Sequence, residues 1–533
     1  MPQLRVTTCL AALWLAAPLM GCALVHRPGS QVPSTQVTAG PTPEPEDPEI
    51  SQPVSFQADM GLGGVGDTAA TNPSPDSESP SFSQSEPADA LLTLDEVVHS
   101  VYASYPLLES ALYARDVAHG EHLAAHGQFD LKLKGASENG PVGFYETYRQ
   151  TLGLVQPLYS GCDIWGRYRI GRGNIQPWYR ERQTNDGGEL RAGVTVPLLR
   201  DRRIDERRAE LWRTGLGPRL AEFDIRAQLI GFVQEASHSY WDWVGAGQAY
   251  KLAERVLDLA DSRTDRIKRQ VETGLIDPPE LTDNLRLVAN RRAILAKARR
   301  MLDQKAAKLS LYLRNSQGQP VVPGPERLPS FPEPTWVDPS RLADDVQVAL
   351  GSRPELGLLD TIRRQREVDL AQARNELRPE VDAFVWGSQD VGAPASSKRD
   401  KSPFELEAGL YVDVPLQRRK ARGKIASTEA KIHQIAAKRR MMEDKITVDV
   451  QTAYAALAGA FEQFQQTRDA VRLAAELAQR ERRNFELGAS DLLRVTLREQ
   501  YAAEAEVEQI NALLQYHGAQ ADYRAALAED PTQ

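Results

Sequence analysis

Cysteine is nearly absent from this chain, with three in 533 residues. Cys9 and Cys22 lie close to the N-terminus and only Cys162 lies beyond, so a disulfide framework is excluded. Long apolar runs are also missing. Leu10 to Leu19 is the one unbroken uncharged, mostly apolar stretch of note, and a spanning helix needs roughly 20 such residues, which excludes a polytopic helical membrane protein. Neither sign of charge dominates: 64 basic residues face 73 acidic ones, leaving no electrostatic case for nucleic acid. Catalytic signatures are lacking as well. No Walker loop, His-Glu-x-x-His, Cys-x-x-Cys pair or Gly-x-Ser-x-Gly occurs, so no enzyme is expected and no cofactor is called for.

What is there begins with an address. Met1 to Cys22 has a short basic start at Arg5, an apolar core and then Leu19-Met20-Gly21-Cys22. A core of that length followed by small residues is a secretory signal, residues 1–21, rather than a membrane anchor. The last four residues resemble the bacterial lipobox, in which the cysteine is acylated and becomes the mature N-terminus. Cys22 would then carry an N-terminal lipid, Cys9 would leave with the signal, and Cys162 would remain as a lone thiol. The alternative is an ordinary signal with an incidental cysteine.

Residues 22–88 form a lipidated N-terminus and tether. Residues 28–88 hold nine acidic residues and no Lys or Arg, equal to the whole net charge of -9. Rich in Pro, Ser, Thr and Gly, the segment buries too little apolar surface to offset its ordering entropy. Its root-mean-square reach is roughly 45 Å. Gly61, Gly63 and Gly66 spell G-x-G-x-x-G, but no strand precedes them and no helix follows, so a dinucleotide loop is excluded.

The decisive organisation is an internal repeat, one unit over 89–314 and a second over 340–528, with a linker over 315–339 and a tail over 529–533. Each opens with a helical pattern, Thr93 to Gly127 and Arg341 to Leu377, and each gives two alternating segments. The first are Phe129 to Gly135 and Val381 to Trp386. The second are Glu189 to Val196 and Glu405 to Val414, both closing in Val-x-Val-Pro-Leu at Pro197 and Pro415. A period of two with one apolar face is a strand pattern, here with the length of a transmembrane barrel strand. Four such strands per chain cannot close a barrel, and backbone in lipid must be fully paired. Several chains must therefore share one.

Long helical patterns follow, Asp201 to Thr273 and Gln417 to Leu487, each extending roughly 100 Å if continuous. Recurring charges keep them out of lipid, and Ala and Leu at helix spacing suit helix-on-helix packing in water. Tyr240 aligns with Tyr454 and Gly274 with Gly488 at an offset of 214, whereas Pro197 and Pro415 need 218. The four extra residues of the first repeat fall around Thr214-Gly215-Leu216-Gly217-Pro218, where Pro218 predicts a break that the second repeat lacks. Each long helix stops at a glycine, in Thr273-Gly274-Leu275-Ile276-Asp277 and Leu487-Gly488-Ala489-Ser490-Asp491, and a return helix follows.

This duplicated order, with the paired Val-x-Val-Pro-Leu ends, Tyr240 and Tyr454 in the long helices and the paired glycine tips, resembles the TolC-like outer-membrane efflux protein family. The resemblance implies a mainly α chain with a small membrane β-barrel contribution. Three copies would close a twelve-stranded barrel on a periplasmic α-helical coiled-coil tunnel. It further implies an exit duct that passes substrate from an inner-membrane transporter through a periplasmic adaptor to the outside. Acylated members of the family begin with a lipobox. Carried over by position, the tips that close the tunnel and touch the adaptor are Gly274, Leu275 and Asp277 with Gly488, Ala489, Ser490 and Asp491. Acidic rings at that mouth favour cations in some members, which singles out Asp491; a plain helix N-cap is the other reading, and the two are compatible. Arg263, Arg266, Arg269, Arg480 and Arg483 either pair with acids across the closed mouth or form a solvated face.

Two features stand apart. Pro106 and Pro197 lie 91 positions apart but Pro354 and Pro415 only 61, so the first repeat carries 30 extra residues. These include Tyr159, Trp165, Tyr168, Trp178 and Tyr179 with Arg167, Arg169, Arg172 and Arg180. They form an extracellular loop if the strands are as placed above, although Gly153 to Leu158 also resembles a strand end. His119, His122 and His126 share one helix face and are candidate Zn or Cu ligands, without evident Cys or carboxylate partners. The rival to a duct is a lipid-anchored periplasmic coiled-coil adaptor or scaffold without a pore; adaptors normally carry one hairpin and small β domains, whereas this chain has two hairpins.

Overall fold

The computed structural model describes residues 90–143, 145–175, 183–275, 277–395 and 404–529. The signal, Cys22 and the tether lie outside the described residues, as do Trp178, Tyr179 and Arg180.

In chain order the first repeat is α1 (Leu94–Ser104), α2 (Pro106–His126), β1 (Lys132–Gly140), β2 (Thr147–Pro157), β3 (Asp163–Gly173), β4 (Glu189–Pro197), α3 (Glu206–Thr214), α4 (Gly217–Glu272) and α5 (Pro278–Leu309). The second is α6 (Leu342–Ser352), α7 (Pro354–Asn375), β5 (Glu380–Asp390), β6 (Glu405–Asp413), α8 (Arg419–Glu486) and α9 (Leu492–Leu527). Proline explains the shared break at the start of each, since Pro106 and Pro354 occupy the first positions of α2 and α7, where the missing N–H costs nothing. The break expected near Pro218 is present: α3 ends at Thr214 and α4 restarts with Gly217 and Pro218 in its first turn. Its counterpart α8 runs for 68 residues without interruption, about 100 Å at the α-helical rise.

The two repeats build two cores. In the first, Val97, Val101 and Leu108 pack against Tyr240, Trp243 and Val244 of α4 and Leu302 and Leu309 of α5. In the second, Val346, Ala349 and Leu356 pack against Ile446, Val450 and Leu457 of α8 and Tyr516 and Tyr523 of α9. The aligned tyrosines do the same work in each. The Tyr240 hydroxyl donates to the Leu92 carbonyl just ahead of α1 at 2.9 Å, and the Tyr454 hydroxyl to the Val337 carbonyl ahead of α6 at 3.5 Å.

Among the described residues the strands form one antiparallel sheet of six in chain order, which corrects the expectation of four per chain. The extra residues of the first repeat are not an extracellular loop. They are β2, the turn after it and β3, paired to β1 on one side and β4 on the other. The β2–β3 turn lies at the helix end of the sheet, closed by the Leu158 amide on the Cys162 carbonyl at 2.8 Å. It is docked there: Trp212 of α3 donates to the Tyr159 hydroxyl at 2.6 Å, and Arg207 meets Asp163 at 2.8 Å. The first strand also shifts, to Lys132–Gly140 instead of residues 129–135, because Phe129 belongs to a 3₁₀ turn that extends α2.

Candidate functional site: hairpin tips and sheet faces

Both long helices end in the same motif. After α4 the Gly274 amide donates to the Val271 carbonyl at 3.0 Å and the Leu275 amide to Gln270 at 2.8 Å. After α8 the Gly488 amide donates to Phe485 at 3.0 Å and the Ala489 amide to Asn484 at 2.9 Å. These are paired Schellman caps, and they require the left-handed backbone that Gly274 (φ 71°) and Gly488 (φ 76°) adopt without a Cβ penalty. The returns differ. Asp491 caps α9, its carboxylate accepting from the Arg494 amide at 2.8 Å, whereas Asp277 stands at the same place before α5 with no side-chain cap bond. Ser490 donates to the Glu481 carboxylate and so ties the turn back to α8. Leu275 and Leu487 are each 75% exposed, leaving apolar surface on both tips.

Behind the tips lies a charge knot that the sequence reading did not anticipate. Glu499 of α9, buried to 5% and about 12 Å along the helix from Asp491, accepts from Arg263 of α4. It also lies 3.8 Å from Arg291 of α5 and 3.4 Å from Arg482 of α8. One carboxylate thus joins all four helices of the two hairpins. Burial pulls the Arg291 guanidinium below its ordinary range, with Glu499 opposing that shift and Arg263 adding to it. Arg263 therefore pairs inside its own chain. Arg266 lies 3.8 Å from Glu486 on exposed surface, Arg269 donates to the Asp265 carbonyl one turn back at 3.1 Å, and Arg480 pairs with Glu476 one turn back.

At the other end the sheet has two unlike faces. Leu133, Leu154, Tyr168, Leu190, Val385 and Leu410 share one face by register. The opposite face carries Arg167, Arg169, Glu189, Arg191 and Trp386. Adjacent residues show the contrast: Leu190 is 56% exposed and Glu189 1%. The strands run 9 to 11 residues, the length of a tilted transmembrane β-strand. Among the described residues no helix is long and apolar enough to cross a membrane. Pro197 closes β4 opposite Asp382, and Pro415 follows β6 by two residues.

Solved structures share the overall fold. CusC is 14% identical over 85% of this chain and 98% of its own, with a TM-score of 0.59. The outer-membrane protein VceC from Vibrio cholerae is 15% identical over 82% and 96%, with a TM-score of 0.58. The open state of the Neisseria gonorrhoeae MtrE outer membrane channel is 14% identical over 85% and 97%, with a TM-score of 0.57. This is the TolC-like outer-membrane channel fold. No family model and no curated protein matches the sequence. Within the TolC-like fold, the paired strands and the paired glycine tips lie at opposite ends of each repeat, as the order of elements requires.

The three histidines of α2 do not assemble a centre. His122 and His126 meet edge-to-face at 4.7 Å and His122 Nδ1 lies 3.2 Å from the Thr214 hydroxyl. Among the described residues no three His, Cys, Asp or Glu side chains gather closely enough to hold a metal ion.

Proposed function

We propose that this chain is the outer-membrane exit duct of a tripartite efflux or type I secretion system, a gated channel that conducts substrate passively from an inner-membrane pump. The observation that carries the reading is the sheet with one exposed apolar face and one charged face. An antiparallel sheet of this kind is stable in lipid only when its edges are paired, and β1 and β6 are open edges within one chain. Three copies would pair them and supply eighteen strands from six each, in place of the twelve that four per chain implied. Barrels of that size leave an aqueous channel.

In this reading Cys22 anchors the mature chain by lipid to the outer membrane, and α4, α5, α8 and α9 form the wall of a periplasmic tunnel. The tips at Gly274, Leu275, Asp277, Gly488, Ala489, Ser490 and Asp491 meet a periplasmic adaptor, for which the exposed Leu275 and Leu487 offer apolar contact. Opening follows adaptor binding, because a ligand shifts such an equilibrium only through contacts that differ between the two states.

The test is single-channel recording of the detergent-extracted protein in planar bilayers, with crosslinking to count subunits. A trimer with discrete openings is the expected result. A protein that never enters the bilayer and never conducts overturns the duct and leaves the poreless scaffold.

A further inference from the structure

We propose that the inserted β2–β3 hairpin equips the barrel wall with a binding site for oxyanionic solutes, carboxylates or phosphates, centred on Arg167; this rests on the duct reading above. Among the described residues the hairpin has no counterpart in the second repeat. It places Arg149, Arg167 and Arg169 on the charged face beside Arg191 of β4. Two of these four guanidiniums share one carboxylate: Glu189 accepts from Arg169 at 2.5 Å and from Arg191 at 2.7 Å. Arg149 has Glu138 at 3.5 Å. Arg167 makes no ion pair among the described residues, and its guanidinium sits 5.2 Å over the Trp165 ring.

The arrangement is costly unless something anionic visits it. Arg167 and Arg191 are direct cross-strand partners, and like charges directly opposite destabilise a sheet. The other acids of this face stand elsewhere. Glu405 and Glu407 are on β6, three strands from β3, roughly 14 Å at the interstrand spacing. Asp390 takes the Asn185 amide at 3.0 Å. Asp163, Glu380, Asp382 and Asp413 lie at the helix end of the sheet, where Arg207 holds Asp163 at 2.8 Å and Arg200 holds Glu380 at 3.1 Å. A planar guanidinium with free donors, flanked by two more, matches an oxyanion's geometry, and a low-dielectric wall concentrates its field across the lumen.

The experiment uses the full chain in planar bilayers, with inorganic phosphate as the probe. Phosphate should reduce the wild-type current. Arg167→Gln should raise the half-blocking concentration by at least about threefold, the factor for losing one partly screened charge contact, and should shift the reversal potential in a KCl gradient toward potassium. Arg167→Lys, which keeps the charge, should retain most of the block. Should Arg167→Gln fail to assemble, Arg167→Met replaces it, keeping a stem over Trp165. A conducting wild type insensitive to phosphate, or block unchanged by neutralising Arg167, overturns the site and leaves the duct standing. A protein that never conducts removes both.

Discussion

Glu189 and Leu190 are neighbours in the chain and point to opposite worlds, the first locked between Arg169 and Arg191, the second bare on the sheet's apolar face. The period of two that separates them is the physical basis of the duct reading. It also sets the expected penalties for change on either face, since a charge on a lipid-facing strand position costs about 2–4 kcal/mol near the bilayer midplane.

The first prediction concerns the knot behind the tips. Glu499→Ala leaves Arg263 and Arg291 buried without their carboxylate, which should cost about 3–5 kcal/mol. Thermal melting should show it, with faster hydrogen exchange along α9 and α4. A loss below about 1 kcal/mol would mean that the arginines find other partners.

The aligned tyrosines should respond unequally. Tyr240 is 3% exposed with a 2.9 Å bond, and burial, with Asp95 and Glu96, raises the pKa of its hydroxyl. Tyr454 is half-buried with a 3.5 Å bond. Tyr240→Phe should therefore destabilise by about 1 kcal/mol and Tyr454→Phe by less. Equal melting shifts would count against the hydroxyl bond as the cause.

His517 supplies a pH dependence. It is buried and stacked on Trp241 at 4.2 Å, and burial lowers its pKa, against the bonds to Gln520 and the Pro332 carbonyl. A histidine with a depressed folded pKa is bound by fewer protons when folded, so its contribution is complete above the unfolded value near 6.5 and is lost as pH falls below it. Melting temperature should drop on going from pH 7.5 to about 5, and His517→Gln should flatten that slope. An unchanged slope would assign the acid sensitivity to other groups.

The two tip aspartates are separable by their caps. Asp491→Ala removes a 2.8 Å cap bond and should cost about 1 kcal/mol, whereas Asp277→Ala removes none and should cost less. In bilayers Asp491→Ala should also weaken cation preference or cation block. Unchanged selectivity with the stability loss intact would leave Asp491 a cap only.

Much of the fold was legible because it is local. Pro218 interrupts a long helix, Gly274 and Gly488 end theirs, and alternation in Glu189 to Val196 and Glu405 to Val414 is a property of adjacent residues, whereas Thr93 to Gly127 and Arg341 to Leu377, each read as one helical pattern, are in fact broken ahead of Pro106 and Pro354. The β2–β3 hairpin was not, although Gly153 to Leu158 had the look of a strand end. Gly153, Gly166 and the closely spaced arginines interrupt the alternation there, and Gly153 is required by the approach of Arg167 across the pair, where a Cβ would meet the Arg167 Cβ at 2.8 Å.

By itself the sequence determined the duplication, the break at Pro218, the glycine tips and the amphipathic character of four strands, all consequences of residue spacing along one chain. Tertiary structure alone decided that the sheet has six strands, that Arg167 faces Arg191, and that Glu499 gathers arginines from three other helices. Those are meetings between residues far apart in the chain, set by strand register and helix packing, and nothing in local composition specifies a partner.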